Sequence, residues 1–230
     1  MKFTSFFLSA LILSRSILSA ESNWDQYRDN IVALVPTAQG WCPQDKALRM
    51  MNLIHERVTD PHPVLVEIGV FGGSSFFPTV AALSYENRGI AYGIDPWHNT
   101  PCLNGLDGEN YSWWSKIDLK KVLVRFMDLM HENQLDDRYC LMRMTSQQAV
   151  RFFHDNSVTV LHIDGNHSED SAFYDAKSWL PKVKIGGFIW FDDANWSSTK
   201  AAVMYLLEHC ELDPSCSYGD AYLLFRKTSS

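Results

Sequence analysis

The sequence predicts an α/β fold built on buried parallel strands, and three observations predict it. The first is Val158–Trp196, where two short apolar runs, Val158–Ile163 and Phe188–Phe191, flank a helical pattern with Phe173, Ala176 and Leu180 about one turn apart. Apolar run, helix, apolar run reads as a βαβ crossover, whose strands are covered on both faces. The second is the strand Val64–Ile68, which runs straight into Gly69, Gly72 and Gly73 before a helix that starts near Ser74. A side-chain-free turn there lets backbone N–H groups approach a ligand. The third is the acid that closes each strand: Asp95 after Ala91–Ile94, Asp164 after Ile163, and Asp192 with Asp193 after Phe191. Ligands of open α/β sheets sit beyond the carboxyl ends of the strands. Asp164, Asp192 and Asp193, meeting at such an edge, need a cation, protons or a polar cofactor to offset their repulsion. The plainer alternative is helix capping by Asp164, Asp192 or Asp193, which does not explain a doubled acid.

In chain order, residues 1–20 carry Lys2, an apolar stretch interrupted by Arg15, and Leu18-Ser19-Ala20 before Glu21. This resembles a secretory signal peptide cleaved near Ala20. It implies an exported or periplasmic protein if cleaved and a cytoplasmic one otherwise, with no stable membrane span after its removal. Asn110, Asn166 and Asn195 each begin an N-x-S tripeptide, two of them inside the acidic stretch. A glycan there would obstruct the site, so bacterial-type export fits better than a glycosylating lumen.

Residues 21–63 read as an N-terminal helical segment. Trp24–Val35 is amphipathic, and a second helix opens at Pro43 with Ala47, Met50, Met51 and Ile54 on one face. Asp60-Pro61-His62-Pro63 ends it. Trp41, between them, is packing or a ligand cover. Residues 64–230 form the main domain. Its glycine spacing is not G-x-G-x-x-G, yet the glycine turn followed by an acid after the second strand, the usual partner of ribose hydroxyls, points to a nucleoside-type cofactor. Pro96–Lys116 is an insertion with Trp97, Tyr111, Trp113 and Trp114, read as a substrate lid or an aromatic satellite core. Leu119–Glu132 is a helix and Cys140–Met144 a third strand. Thr145-Ser146 opens a helix to about Phe153 with Ser146 as a cap. Leu180-Pro181 stops the crossover helix and Gly186-Gly187 turns the chain back. Thr199–His209 is helical, Ala221–Phe225 is the last strand, and Glu211–Asp220 shows no convincing extra strand. His162 alternates with strand core residues and reads as structural.

The formal net charge is −7, and removing Lys2 and Arg15 makes it more negative, which argues against a nucleic-acid partner. The five cysteines are scattered without zinc-ligand spacing; Cys210 and Cys216 could bridge, or all stay reduced. The oligomeric state is left open, a homo-oligomer included.

The motifs VEIGVFGGSS, YGIDPW, RMTSQQA and IDGNHSEDSAFYDAKSWLPKVKIGGFIWFDD, with GWCPQDKA upstream, resemble class I S-adenosylmethionine-dependent methyltransferases, nearest the macrocin-type O-methyltransferase and cephalosporin-hydroxylase-like group. The resemblance spans residues 40–196. It implies a Rossmann-like, mostly parallel seven-stranded sheet with helices on both faces and an antiparallel last hairpin. It places Glu67, Gly69, Gly72 and Gly73 around the methionine part of S-adenosylmethionine, Asp95 on the ribose, and Thr145 or Ser146 near the adenine. It makes Asp164, Asp192 and Asp193 ligands of Mg²⁺. The resembled sugar enzymes often carry an acidic base two positions after the first metal acid; Asn166 stands there, and His167 beside it is the natural substitute. The expected reaction is metal-assisted O-methylation of a small hydroxylated, sugar-like acceptor, with Asp164 and His167 catalytic. A non-catalytic binding protein and a metal-dependent hydrolase on the same acids are the rival readings.

Overall fold

The computed structural model describes residues 23–218 and 221–229; the leader expectation lies outside them. Helices α1 (Trp24–Leu34) and α2 (Gln44–Arg57) precede strand β1 (Val64–Ile68), followed by α3 (Phe76–Tyr85) and β2 (Ile90–Ile94). The insertion folds into two short helices, α4 (Asn99–Cys102) and α5 (Gly108–Trp114). Then come α6 (Leu119–Glu132), β3 (Tyr139–Met142), α7 (Ser146–Ala149), β4 (Val158–Ile163), α8 (Glu169–Trp179), β5 (Val183–Phe191), α9 (Lys200–His209), β6 (Glu211–Tyr218) and β7 (Tyr222–Arg226). The seven strands form one sheet in the order β3-β2-β1-β4-β5-β7-β6. β1 to β5 pair in parallel, and β7 runs antiparallel to both β5 and β6.

Period-two alternation along the strands feeds two separate cores. Leu65, Val160, Phe188, Trp190 and Leu224 join the core made with α1, α2, α3 and α6. Val66, Ile68, Leu161, Ile163, Ile189, Phe191 and Phe225 join the one made with α8 and α9. α3 is buried from Phe76 through Leu83, as a helix apolar on every side must be. Among the described residues no helix is long and apolar enough to cross a membrane.

Three local expectations need correction. Glu211–Tyr218 is a strand after all; it lies at the sheet edge with a register irregularity spanning Pro214, and only an edge tolerates a proline that cannot donate to the ladder. Gly186 and Gly187 lie inside β5 rather than in a turn before it. A Cβ on Gly187 would come within 2.9 Å of the Lys184 and Thr159 carbonyl oxygens, so the strand needs glycine for close backbone approach. Thr145, not Ser146, caps α7, in a reciprocal capping box with Gln148. Of the two alternatives left open for the cysteines, Cys42, Cys102, Cys140 and Cys210 have the reduced one: they are free thiols.

Candidate active site

The sheet order reverses between β1 and β4, which places a crevice at their carboxyl ends. In register, Ile68 faces both Ile94 and Ile163, and Ile163 faces Phe191. Asp95, Gly69, Asp164 and Asp192 therefore leave the sheet at one level. They border a cleft of about 960 Å³ together with Thr145, Ser146, His167 and Asp193, near the upper end of the ~300–1,000 Å³ usual for small-molecule sites. Insertion residues including Trp113 and Trp114 form one wall, while Trp97 and Trp114 also pack in the core or against it. The insertion is thus both cleft wall and aromatic cluster. Asn166 fastens it, its amide donating to the carbonyls of Cys102 (3.1 Å) and Asn104 (2.8 Å). Trp41, 69% exposed, stacks on Phe71 at the same wall.

The glycine turn divides its labour. Gly69, at φ +88°, faces the cleft, and a Cβ on it would fall 1.9 Å from the Asp164 carbonyl oxygen. Gly72 and Gly73 do not line the cleft: they bridge to Gln39, and a Cβ on Gly73 would meet the Phe126 ring at 2.3 Å. Glu67 is also set below the cleft, 2% exposed, accepting from the Ser75 hydroxyl at 2.8 Å. Asp95 takes the Phe71 amide on Oδ2 (2.9 Å) and the Trp97 amide on Oδ1 (2.7 Å). Each oxygen keeps a lone pair for a ribose hydroxyl. Burial pushes this carboxyl up to about 6, against the pull of the two amides.

Across the crevice the acids pair with cations. The Lys46 ammonium, 2% exposed on α2, bonds Asp192 Oδ2. His162 lies between Glu67, with Nδ1 3.0 Å from Oε2, and Asp192, with Nε2 3.6 Å from Oδ2. These are ion contacts, not aligned hydrogen bonds. Burial opposes protonation of His162, but Glu67 and Asp192 outweigh it and raise the imidazole to about 9. Burial likewise opposes the Asp192 charge, and His162 and Lys46 pull its pKa well below the usual carboxylate range. Asp164 is pushed up to about 6 by burial and by the Asp192 charge. Nearer the opening, His167 Nε2 lies 3.1 Å from Asp193 Oδ2 and 3.7 Å from Asp164 Oδ1. Burial works against its protonation, yet these carboxylates raise its pKa. No side chain of the three acids caps a helix; the N-cap of α8 is Ser168, and that of the turn at Ser197 is Trp196.

Sequence reading missed two groups here. Lys46 shares a helical stripe with Met50 and Ile54, and Asp175 shares one with Ala172, Ala176 and Trp179. A charge on an apolar face is the signal, since it must find a partner inside. His162, read as structural, is buried in the strand core and also belongs to the charge network.

The sheet order, the glycine at the β1 end and the acid at the β2 end define a class I methyltransferase architecture. A methyltransferase-domain family matches residues 66–194, more than half of the chain, and the chain belongs to that family. Solved structures with this fold include a Podospora anserina methyltransferase, PaMTH1, bound to S-adenosylhomocysteine (TM-score 0.57, 11% identity, covering 100% of this chain and 98% of that one). Another is CalS11, a TDP-rhamnose 3'-O-methyltransferase of calicheamicin biosynthesis (TM-score 0.53, 16% identity, 90% and 96% covered). An uncharacterized Sinorhizobium fredii protein, y4gI, is 24% identical over 157 residues, 67% of this chain. The chain spans only 16% of that relative's length.

Proposed function

We propose that the protein is an S-adenosylmethionine-dependent O-methyltransferase for a small hydroxylated, sugar-like acceptor. The observation that carries this is His167, held between Asp164 and Asp193 at the edge of a cleft that also contains Gly69 and Asp95. Similarity to a sugar O-methyltransferase supports the acceptor class. Bound in the cleft, S-adenosylmethionine would supply an electrophilic methyl group. Asp95 would hold the ribose hydroxyls, and the Gly69 backbone would leave room for the methionine part.

The acceptor hydroxyl must lose its proton. Ionising a sugar hydroxyl at neutral pH costs on the order of 10 kcal/mol, at ~1.4 per pKa unit. A placed base supplies roughly 10²–10⁴-fold, or ~3–5 kcal/mol. His167 Nε2 is that base, and Asp164 and Asp193 stabilise the imidazolium it becomes. A divalent cation would draw on the carboxylates here: Asp164 gathers within 4.8 Å with Asp192 in one cluster, beside His162, and with Asp193 in another, beside His167. Asp164, Asp192 and Asp193 would hold it, their oxygens suiting Mg²⁺, and it would lower the hydroxyl pKa. Lys46 competes for Asp192 Oδ2 in that arrangement.

The test is transfer of labelled methyl from S-adenosylmethionine by the full chain to a panel of sugars and phenols, with and without EDTA. Sugar-dependent turnover lost in EDTA and restored by Mg²⁺ is expected. Turnover indifferent to EDTA would remove the cation, and folded protein that does not bind the methyl donor would remove the assignment.

A further inference from the structure

Lys46 is buried on α2 among Ala47, Met50 and Ile54. An ammonium persists in such a place only with a partner, and its partner is Asp192 Oδ2. The other oxygen of that carboxylate, Oδ1, accepts the Asp193 amide at 3.2 Å. Both oxygens of Asp192 are thus engaged within the fold, although the residue borders the cleft. The chain turns at Asp193, with φ +49°, and the second acid meets a different group, His167. Asp164 takes part in both acid clusters. A lysine is therefore seated on one of the three acids that would hold a divalent cation.

Ammonium and ion seek the same carboxylate, and in a water-poor site the fixed charge repels the divalent one. Lys46 reaches Asp192 from α2, outside the cleft lining, on a flexible four-carbon stem. The Tyr222 ring, with its centroid 5.3 Å from Nζ, offers the ammonium a second, cation–π partner when it yields Asp192. We propose that Lys46 is a built-in competitor of the divalent cation. It neutralises Asp192 while the ion is away, so that the acids do not force the cleft apart, and it lowers the affinity of the site so that loading follows the free ion concentration. This rests on the cation part of the reading above and adds the residue that regulates it.

The test is calorimetry of the full chain with Mg²⁺ alone, comparing wild type with Lys46→Met and with Lys46→Gln, which removes the charge but keeps a donor for Asp192. Both variants should bind Mg²⁺ more tightly by on the order of tenfold or more. Thermal unfolding shows that each variant is folded, and added Mg²⁺ should raise its midpoint more than that of wild type. Lys184→Gln is the control: it removes a lysine that bonds Asp60 near the start of β5, at the far end of that strand from Asp192. Its Mg²⁺ affinity should stay within about twofold of wild type, since separated charges are screened. Wild type without detectable binding beside variants that bind is the expected result at its limit. Folded variants that bind no more tightly than a wild type that binds overturn the proposal alone, as does a Lys184→Gln gain of the same size. No Mg²⁺ binding by wild type or by either folded variant overturns the cation reading, and this proposal with it.

Discussion

Asp95 and Asp192 sit at equivalent places on one sheet edge, each just past the last residue of a parallel strand, and they are satisfied in opposite ways. Asp95 is held by two peptide amides from its own fold. Asp192 is held by Lys46, which reaches in from a helix far away in the chain, and faces His162. Amides are fixed donors and shift a carboxyl modestly; mobile cations can be redistributed when protons or ligands arrive. The β1–β2 half is therefore a rigid holder, and the β4–β5 half is where charge can move. The single glycine at the crossing, Gly69, ties the halves together by backbone contact with Asp164.

The largest effect should come from the movable half. Asp164→Asn should lower methyl transfer by roughly 10³-fold, since it removes both a partner of the base and a candidate cation ligand. S-adenosylhomocysteine affinity should change little; full turnover would mean that the two halves do not differ as described. His167→Ala should cost roughly 10²–10⁴-fold in kcat. Because the carboxylates raise the His167 pKa, its basic form gains only above the ordinary ~6.5. The wild-type rate should rise with pH beyond that point, and the variant's profile should lose this limb. If both profiles rise alike, another group is the base.

Lys46→Met tests the same half through stability. Leaving Asp192 without its lysine should cost about 3–5 kcal/mol in urea unfolding. Adding Asp192→Asn should recover part of that loss, a coupling that unrelated sites would not show. Additive losses would make the ion pair incidental.

How much of this was legible differs between the halves for the same reason. Gly69, Asp95, Asp164 and the doubled Asp192-Asp193 were readable because each follows an apolar run at a fixed offset, and strand ends are local features. The seven-stranded sheet with its last hairpin came from the resemblance. Residue patterns alone did not show β6, whose Pro214 and mostly polar residues leave no alternation. Gly72 and Gly73 were correctly read as a tight turn, but what crowds them, Gln39 and Phe126, comes from distant segments. Lys46 and Asp175 were hidden because only tertiary packing says which buried charge meets which partner. In each case the helical stripe carries the warning without the address.

The smallest effect belongs to the rigid half, and it separates amide-held from cation-held acids most cleanly. Asp95→Asn keeps one acceptor oxygen but turns an NH₂ toward the other amide, so it should cost about 1–3 kcal/mol. Its pH signature has a definite sign. Burial raises the folded pKa of Asp95 to about 6, above the ordinary carboxylate value of 3.8. Between these values the folded state binds more protons than the unfolded one, so this group's contribution to stability is present at low pH and is lost as pH rises through about 6. Asp192 has the reverse sign: its pKa is depressed, and its contribution is lost as pH falls. Urea unfolding of wild type and Asp95→Asn from pH 4 to pH 7 isolates the Asp95 part, because other carboxyls contribute to both. The wild type should lose on the order of 2 kcal/mol more than the variant across that range. Parallel curves would show that Asp95 is not held as a buried, proton-retaining acid, and the contrast with Asp192 would then lie only in the identity of their partners.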